Sequence, residues 1–358
     1  MEPIAKRTVA LALAATLCGC SSCSGDKAKA DGGTGTGSDS ETDTWHDFDA
    51  GPQVPCQGTA KPGEICIPGG TFLMGCAPQD KECEDNEKPL HKVTLSPFYI
   101  DEDETTWQTF VPFLNTLRDG YVREDNYVYD AKTGQWAGLV WDNQNILIVG
   151  LNDKGDYELG AVSGPGNWAV WLTPEASVGG VSQLGAELYC ASLGKRLPTE
   201  AEWEHAARGN TLNIYPCSES ERTCGMADWG LCAGEKSECG DLYSGACAPL
   251  DPGGGFECLS PYGAKRMVGN AAEWVQDQLS GDYSWCANGC VDPPPAKGGL
   301  PISKGGGIGS WGNGIRISYR LTLVGPTGVY VGLRCARDGI EHDTDSDAGV
   351  DSGVKSSP

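Results

Sequence analysis

The chain has 358 residues, with 26 Lys and Arg against 49 Asp and Glu, giving a formal net charge of −23. A surface so negative repels phosphates, which argues against unaided binding of nucleic acid or of an anionic membrane surface and fits solubility or cation binding. The 51 glycines and 22 prolines point to a loop-rich fold of one large domain or two small ones, with few long helices.

Lys6 and Arg7 precede an apolar stretch from Val9 to Leu17 that is too short to span a bilayer and reads as an export signal. Leu17-Cys18-Gly19-Cys20 looks like a bacterial lipobox, although Cys18 is unusual at its second position. Residues 1–20 are thus expected to be a lipoprotein signal peptide, with Cys20 the lipidated residue and the membrane met through that anchor. Ser21 in place of Asp favours the outer membrane of a bacterial envelope. Residues 21–55, rich in Gly, Ser, Thr and Asp, cannot bury a core and are expected to be a flexible tether. That composition returns in 338–358, an acidic tail with Glu341, Asp343, Asp345, Asp347 and Asp351, expected to be disordered. The folded unit is 56–337.

Within it, Ile65 to Gly75 reads as two short strands around a Pro-Gly-Gly turn. His91 to Ile100 nearly alternates and is broken at Pro97, as in a bent or edge strand. Thr106 to Leu117 suggests a helix that Pro112 shortens or kinks; Tyr121 to Gly166 lacks a period and reads as hairpins and loops; Val181 to Leu193 suggests a second helix. Gly194 to Gly209 spells a complete third one. Thr199 and Glu202 form a capping box, Pro198 and Trp203 a hydrophobic staple, and Arg208 with Gly209 closes the helix, leaving an apolar side of Trp203, Ala206 and Ala207.

Of 17 cysteines, Cys18, Cys20 and Cys23 precede the folded unit and the remaining 14 run from Cys56 to Cys335. An even set in an exported chain suggests a disulfide framework whose connectivity spacing does not fix. Cys76 with Cys83, and Cys286 with Cys290, are near enough for local bridges. The six cysteines from Cys217 to Cys258 contain no Cys-x-x-Cys pair, which argues against zinc.

Several segments resemble, in order, the formylglycine-generating enzyme or sulfatase-modifying factor family. They include Pro68-Gly69-Gly70, Glu87 to Val93, Phe98 to Asp101, Tyr189-Cys190, Gly194 to Gly209, Gly269 to Trp274, Lys304-Gly305-Gly306 and Gly332 to Arg337. The resemblance implies an α+β, C-type-lectin-like, loop-rich and disulfide-bonded fold, and a Cys190–Cys335 bridge. It also places the serine that follows the enzyme's Gly-Gly run at Gly307 and its two copper-binding thiols near Ser310 and Ile315. A hydroxyl and an alkyl group do not replace two soft thiolates, so copper is not expected. Ala272 likewise stands where the enzyme usually has an aromatic. Cys286 and Cys290 as a displaced copper pair are disfavoured by their loop setting. With only His46, His91, His205 and His342, the family's histidine-rich iron branch is also disfavoured.

Structural calcium is the metal the resemblance favours. One site would use the side chains of Asp228 and Asp241 with the carbonyls of Trp229 and Tyr243. A second would use Glu104, the carbonyls of Gly269 and Ala271, and Glu273, with Arg266 in place of the usual asparagine; its guanidinium offers a substitute for the ion's charge. The carboxylates also read as solvated or helix-capping groups. The expectation is a non-catalytic binding or structural module of the envelope whose partner is a protein or a glycan. Trp311, Tyr319 and Tyr330 are candidates for its surface, although core packing also accounts for such aromatics. The alternative is a copper-dependent oxidase converting the cysteine of a sulfatase-like Cys-x-Pro-x-Arg peptide to formylglycine.

Overall fold

The Pro68-Gly69 corner separates β1 (Glu64–Ile67) from β2 (Gly70–Met74), and the two strands enter different sheets. A side chain at Gly69 would put its Cβ 2.7 Å from Pro97, so the corner packs too closely for any other residue. The computed structural model describes residues 48–117, 121–124, 127–130, 136–139, 149–151, 154, 156–159, 174–220, 258–307, 310, 312–322 and 331–340. All fall in the unit Asp47–Pro358.

The run after the corner forms two strands, not one bent strand. β3 (His91–Leu95) pairs antiparallel with β2, setting Phe72 opposite Val93, while β4 (Phe98–Asp101) pairs antiparallel with β1. Pro97 has no N–H to give a ladder, so the chain changes sheet there. Helix α1 (Trp107–Leu114) buries Trp107, Phe110, Val111, Phe113 and Leu114. It stops short of Leu117 because the N–H groups of Asn115 and Thr116 turn back to carbonyls only three residues away. Next come a meander of β5 (Tyr121–Glu124), β6 (Tyr127–Asp130) and β7 (Trp136–Leu139), and a hairpin of β8 (Val149–Leu151) and β9 (Tyr157–Leu159).

Helix α2 (Gln183–Ser192) begins at Ser182, whose Oγ accepts the Gly185 N–H at 3.0 Å. Helix α3 (Glu200–Arg208) has the full capping box: Glu202 N–H donates to Thr199 Oγ1 at 3.2 Å and Thr199 N–H to Glu202 Oε2 at 2.8 Å. Gly209, at φ 63°, ends it. Against the single apolar side expected, every residue of α3 is buried. Strand β10 (Ala272–Leu279) is the long strand beside it, flanked by β12 (Leu300–Lys304) and, in parallel, β14 (Val331–Gly332). The short β11 (Cys290–Val291) adds to β3, β13 (Leu321–Thr322) to β12, and β15 (Ala336–Asp338) to β4.

Two main cores result. One joins Trp107, Phe110, Phe113, Tyr189, Trp274 and Leu333; the other joins Phe72, Ile100, Trp203, Val275, Ile302 and Ile317. Among the described residues every cysteine is in a disulfide: Cys56–Cys66, Cys76–Cys83, Cys190–Cys335, Cys217–Cys258 and Cys286–Cys290. The Cys190–Cys335 bridge joins α2 to the residue before β15 across 145 positions, with S–S 2.04 Å. No helix among the described residues is long and apolar enough to cross a membrane.

Replacing Cys190 and Cys335 together with alanine releases the longest of these loops, and the expected loss is about 2–5 kcal/mol of unfolding free energy. Urea titration of the purified variant measures it; an unchanged midpoint would show that packing alone holds this junction.

Candidate functional site

Helix α3 sits in apolar surroundings yet carries charge, and a buried charge persists only where it is paired and hydrogen-bonded. Arg320 forks onto Glu200, Nε to Oε1 and Nη2 to Oε2, both at 2.9 Å. Tyr283 Oη donates to Glu200 Oε1 at 3.0 Å. Lys304, at the end of β12, lies 3.3 Å from Glu200 and 3.4 Å from Glu204, and donates to the Ser318 carbonyl at 3.2 Å. Glu204 also accepts the Gly75 N–H at 2.7 Å, and the buried Arg208 lies 3.2 Å from it. Burial opposes ionisation of Glu200, but Lys304 and Arg320 hold its carboxyl below the usual range. Beside it, burial and the Glu200 charge push Asp277 up to about 6, although its oxygens accept the Glu200 and Ala296 N–H groups at 2.7 and 2.8 Å.

A second knot lies on Arg316, which forks onto Glu87 at 2.7 and 2.8 Å and reaches Asp80 at 2.8 Å. Asp80, Cys83 and Glu87 are close enough to suggest a metal group. Cys83 is bonded to Cys76 and a guanidinium already fills the space between the carboxylates, so this cluster is an ion-pair knot.

Of the residues expected at the second calcium site, Glu104, Ala271 and Glu273 come together. Glu104 accepts from Ser177 Oγ at 2.5 Å, from the Ala271 N–H at 3.1 Å and from Asn270 Nδ2. Glu273 is forked by Arg334 at 2.6 and 2.7 Å and accepts Trp203 Nε1 at 2.7 Å. Arg266 pairs with Asp103 at 2.9 Å and lies 3.8 Å from Glu104. Burial and the nearby Glu273 push the Glu104 carboxyl up to about 8. This set fits calcium poorly: guanidinium, indole and backbone N–H groups occupy the carboxylate oxygens that an oxygen cage would direct at a cation. Asp228, Trp229, Asp241 and Tyr243, and the lipidation candidate Cys20, lie outside the described residues, as do Trp311 and Tyr330. Tyr319 is half-buried, with Arg316 Cζ 5.5 Å from its ring centroid.

The segment after Lys304 has its own local logic. Gly307 N–H donates to Ser310 Oγ at 2.9 Å and Ser310 N–H to the Gly307 carbonyl at 2.8 Å, closing a tight turn. Ile315 is fully buried and packs with Ala77, Ile214, Tyr215, Cys258 and Val268. Gly306 passes so near the Gly314 carbonyl that a Cβ there would sit 2.5 Å away.

Together these features define a disulfide-braced α+β domain organised on a buried, ion-paired helix. Residues 52–339 match the model of the sulfatase-modifying factor enzyme 1-like domain, and the chain belongs to that family. It is similar to the formylglycine-generating enzyme of Thermomonospora curvata, 31% identical over 322 residues covering 82% of this chain and 98% of that one. It is also similar to inactive C-alpha-formylglycine-generating enzyme 2 of Bos taurus, 31% identical over 230 residues covering 60% of this chain and 70% of that one. The solved structure of PvdO from Pseudomonas aeruginosa shares the fold, with TM-score 0.54 and 21% identity over 78% of this chain and 100% of that one.

The partners of Glu200 are not legible in the sequence because Lys304 and Arg320 lie more than a hundred residues downstream; the surplus of carboxylates on α3 is the one local signal. Glu200→Gln removes the counter-charge of two buried cations and is expected to cost about 3–5 kcal/mol by chemical denaturation. His205 gives a separate, pH-dependent test. Burial lowers its pKa from 6.5 to about 4, outweighing the contact with the Pro68 carbonyl at 3.2 Å. The unfolded chain therefore takes up this proton first, and the stability held above pH 6.5 drains away as pH falls toward 4. The stability difference between the wild type and His205→Gln should shift against the wild type by about 2–3 kcal/mol between pH 7 and 4.5, read from urea curves at both values.

Proposed function

We propose that this protein is a lipid-anchored, non-catalytic binding or structural module of the bacterial cell envelope, built on the sulfatase-modifying-factor scaffold. The observation that carries the reading is the use made of the two positions where the family resemblance places copper-binding thiols. Ser310 closes a turn with Gly307, and Ile315 is core, so both serve packing. The described cysteines offer no substitute, since a disulfide sulfur has no thiolate to give a soft metal. Anchoring rests on the stretch before Cys20, and the partner would be an envelope protein or a glycan. A structural calcium at Asp228, Trp229, Asp241 and Tyr243 belongs to the same proposal, supported by hard oxygen ligands in family spacing.

The second reading is a copper-dependent formylglycine-generating oxidase, favoured by the 31% identity to a relative of that name. Incubation of the purified protein with copper, oxygen and a Cys-x-Pro-x-Arg peptide separates the two. The expected result is an unchanged peptide mass, with calcium and no stoichiometric copper in metal analysis; conversion of the cysteine would establish the oxidase instead.

A further inference from the structure

A cleft of about 370 Å³ opens beside the N-terminus of α3. Its apolar lining has the buried Leu95 and Phe98 at the floor and Pro293, Pro295 and Ile340 in the wall. Its charged lining is three carboxylates, Glu202, Asp292 and Asp338, against the single guanidinium of Arg196. That guanidinium is already spent: Nη1 and Nη2 each reach Glu202 at 2.7 Å, and Nη2 reaches Asp338 Oδ1 at 2.7 Å. It offers little to an anion. Asp338 is the open charge, its side chain 58% exposed, with Oδ1 accepting from Arg196. Asp292 accepts from Ser96 N at 2.6 Å and Oγ at 2.8 Å, which fixes its position and leaves acceptor capacity on both oxygens.

One further feature bears on the occupant. Proline fixes φ, so the Pro293-Pro294-Pro295 wall is preformed and little ordering entropy opposes binding along it. An apolar floor under an acidic rim suits a ligand whose apolar side chains alternate with cations. The volume is that of a pocket for a few side chains, near the lower end of roughly 300–1,000 Å³ for ligand sites.

We propose that this cleft docks an extended basic segment of a partner protein, its apolar side chains on the proline-walled floor and its Lys or Arg side chains against Asp338 and Asp292. No described residue of the Lys304 to Ile315 segment lines the cleft, so docking here is separate from Gly307, Ser310 and Ile315. The inference goes beyond the binding-module reading, because an oxidase could carry the same cleft and the test below involves neither copper nor peptide oxidation.

Fluorescence anisotropy of the full folded chain with a rhodamine-labelled Lys-Leu-Lys-Val-Lys-Leu peptide tests it. Saturable binding is expected, while Glu-Leu-Glu-Val-Glu-Leu should not bind. The double variant Asp292→Asn with Asp338→Asn should weaken binding about tenfold, the scale of two partly exposed ion pairs. Ile340→Arg, which places a cation on the cleft wall and leaves the Ser96 and Arg196 contacts intact, should do the same and stands in if the double variant fails to fold. Exchanging Glu341, Asp343, Asp345, Asp347 and Asp351 for their amides should leave affinity within about threefold. Absence of binding, equal binding of the acidic peptide, undiminished binding by the folded cleft variants, or loss of binding on neutralising the tail alone would each overturn the proposal.

Discussion

Helix α3 must hold its charges in the middle of the protein, and that constraint organises the fold. Glu200 and Glu204 lie where water does not reach, so cations must come from elsewhere in the chain, and they come from Lys304 and Arg320. Trp203, between them in sequence, gives its N–H to Glu273, which Arg334 forks from a third segment. One helix of nine residues thereby fixes the relative positions of β10, β12 and the approach to β15. Ion pairs of this kind add little net stability over apolar packing, but leaving any member unpaired is costly. They discriminate against wrong arrangements of a loop-rich chain in which short strands by themselves specify little.

The disulfides act on the same problem from the other side. With few long elements, this fold leaves much backbone outside regular ladders, and cross-links limit the unfolded chain where packing is thin. Cys190–Cys335 closes the longest loop beside the Arg334–Glu273 pair, so a covalent and an ionic restraint meet on adjacent residues. Using all the described cysteines for this purpose has a chemical consequence, since none of them remains as a thiolate. Ser310 serves a turn with Gly307, and Ile315 serves the core.

Calcium and guanidinium are alternative answers to one electrostatic need. Around Glu104 and Glu273, carboxylates close together in a buried setting must be neutralised by an ion, a proton or a cationic side chain. Here Arg334 takes Glu273 in a fork, while Glu104 sits among Ser177, Asn270 and the Ala271 N–H with its ionisation suppressed. The same economy appears at Arg316, which fills the space between Asp80 and Glu87.

The sequence by itself determined the local elements. Thr199 and Glu202 announced the start of α3, Gly209 its end, and Pro97 a break in the alternating run, because caps, turns and missing N–H groups act within a few residues. The ordered motifs also revealed the family, since spacing survives in one dimension. Tertiary structure alone decided that the break at Pro97 sends β3 and β4 to different sheets and that α3 is buried on all sides. It alone paired Glu200 with cations more than a hundred residues away and set Arg196, Asp292 and Asp338 around one cleft. The reason is physical: burial and ion pairing depend on which distant segments share a space, and a buried carboxylate reads in sequence like any solvated one until its partner is found.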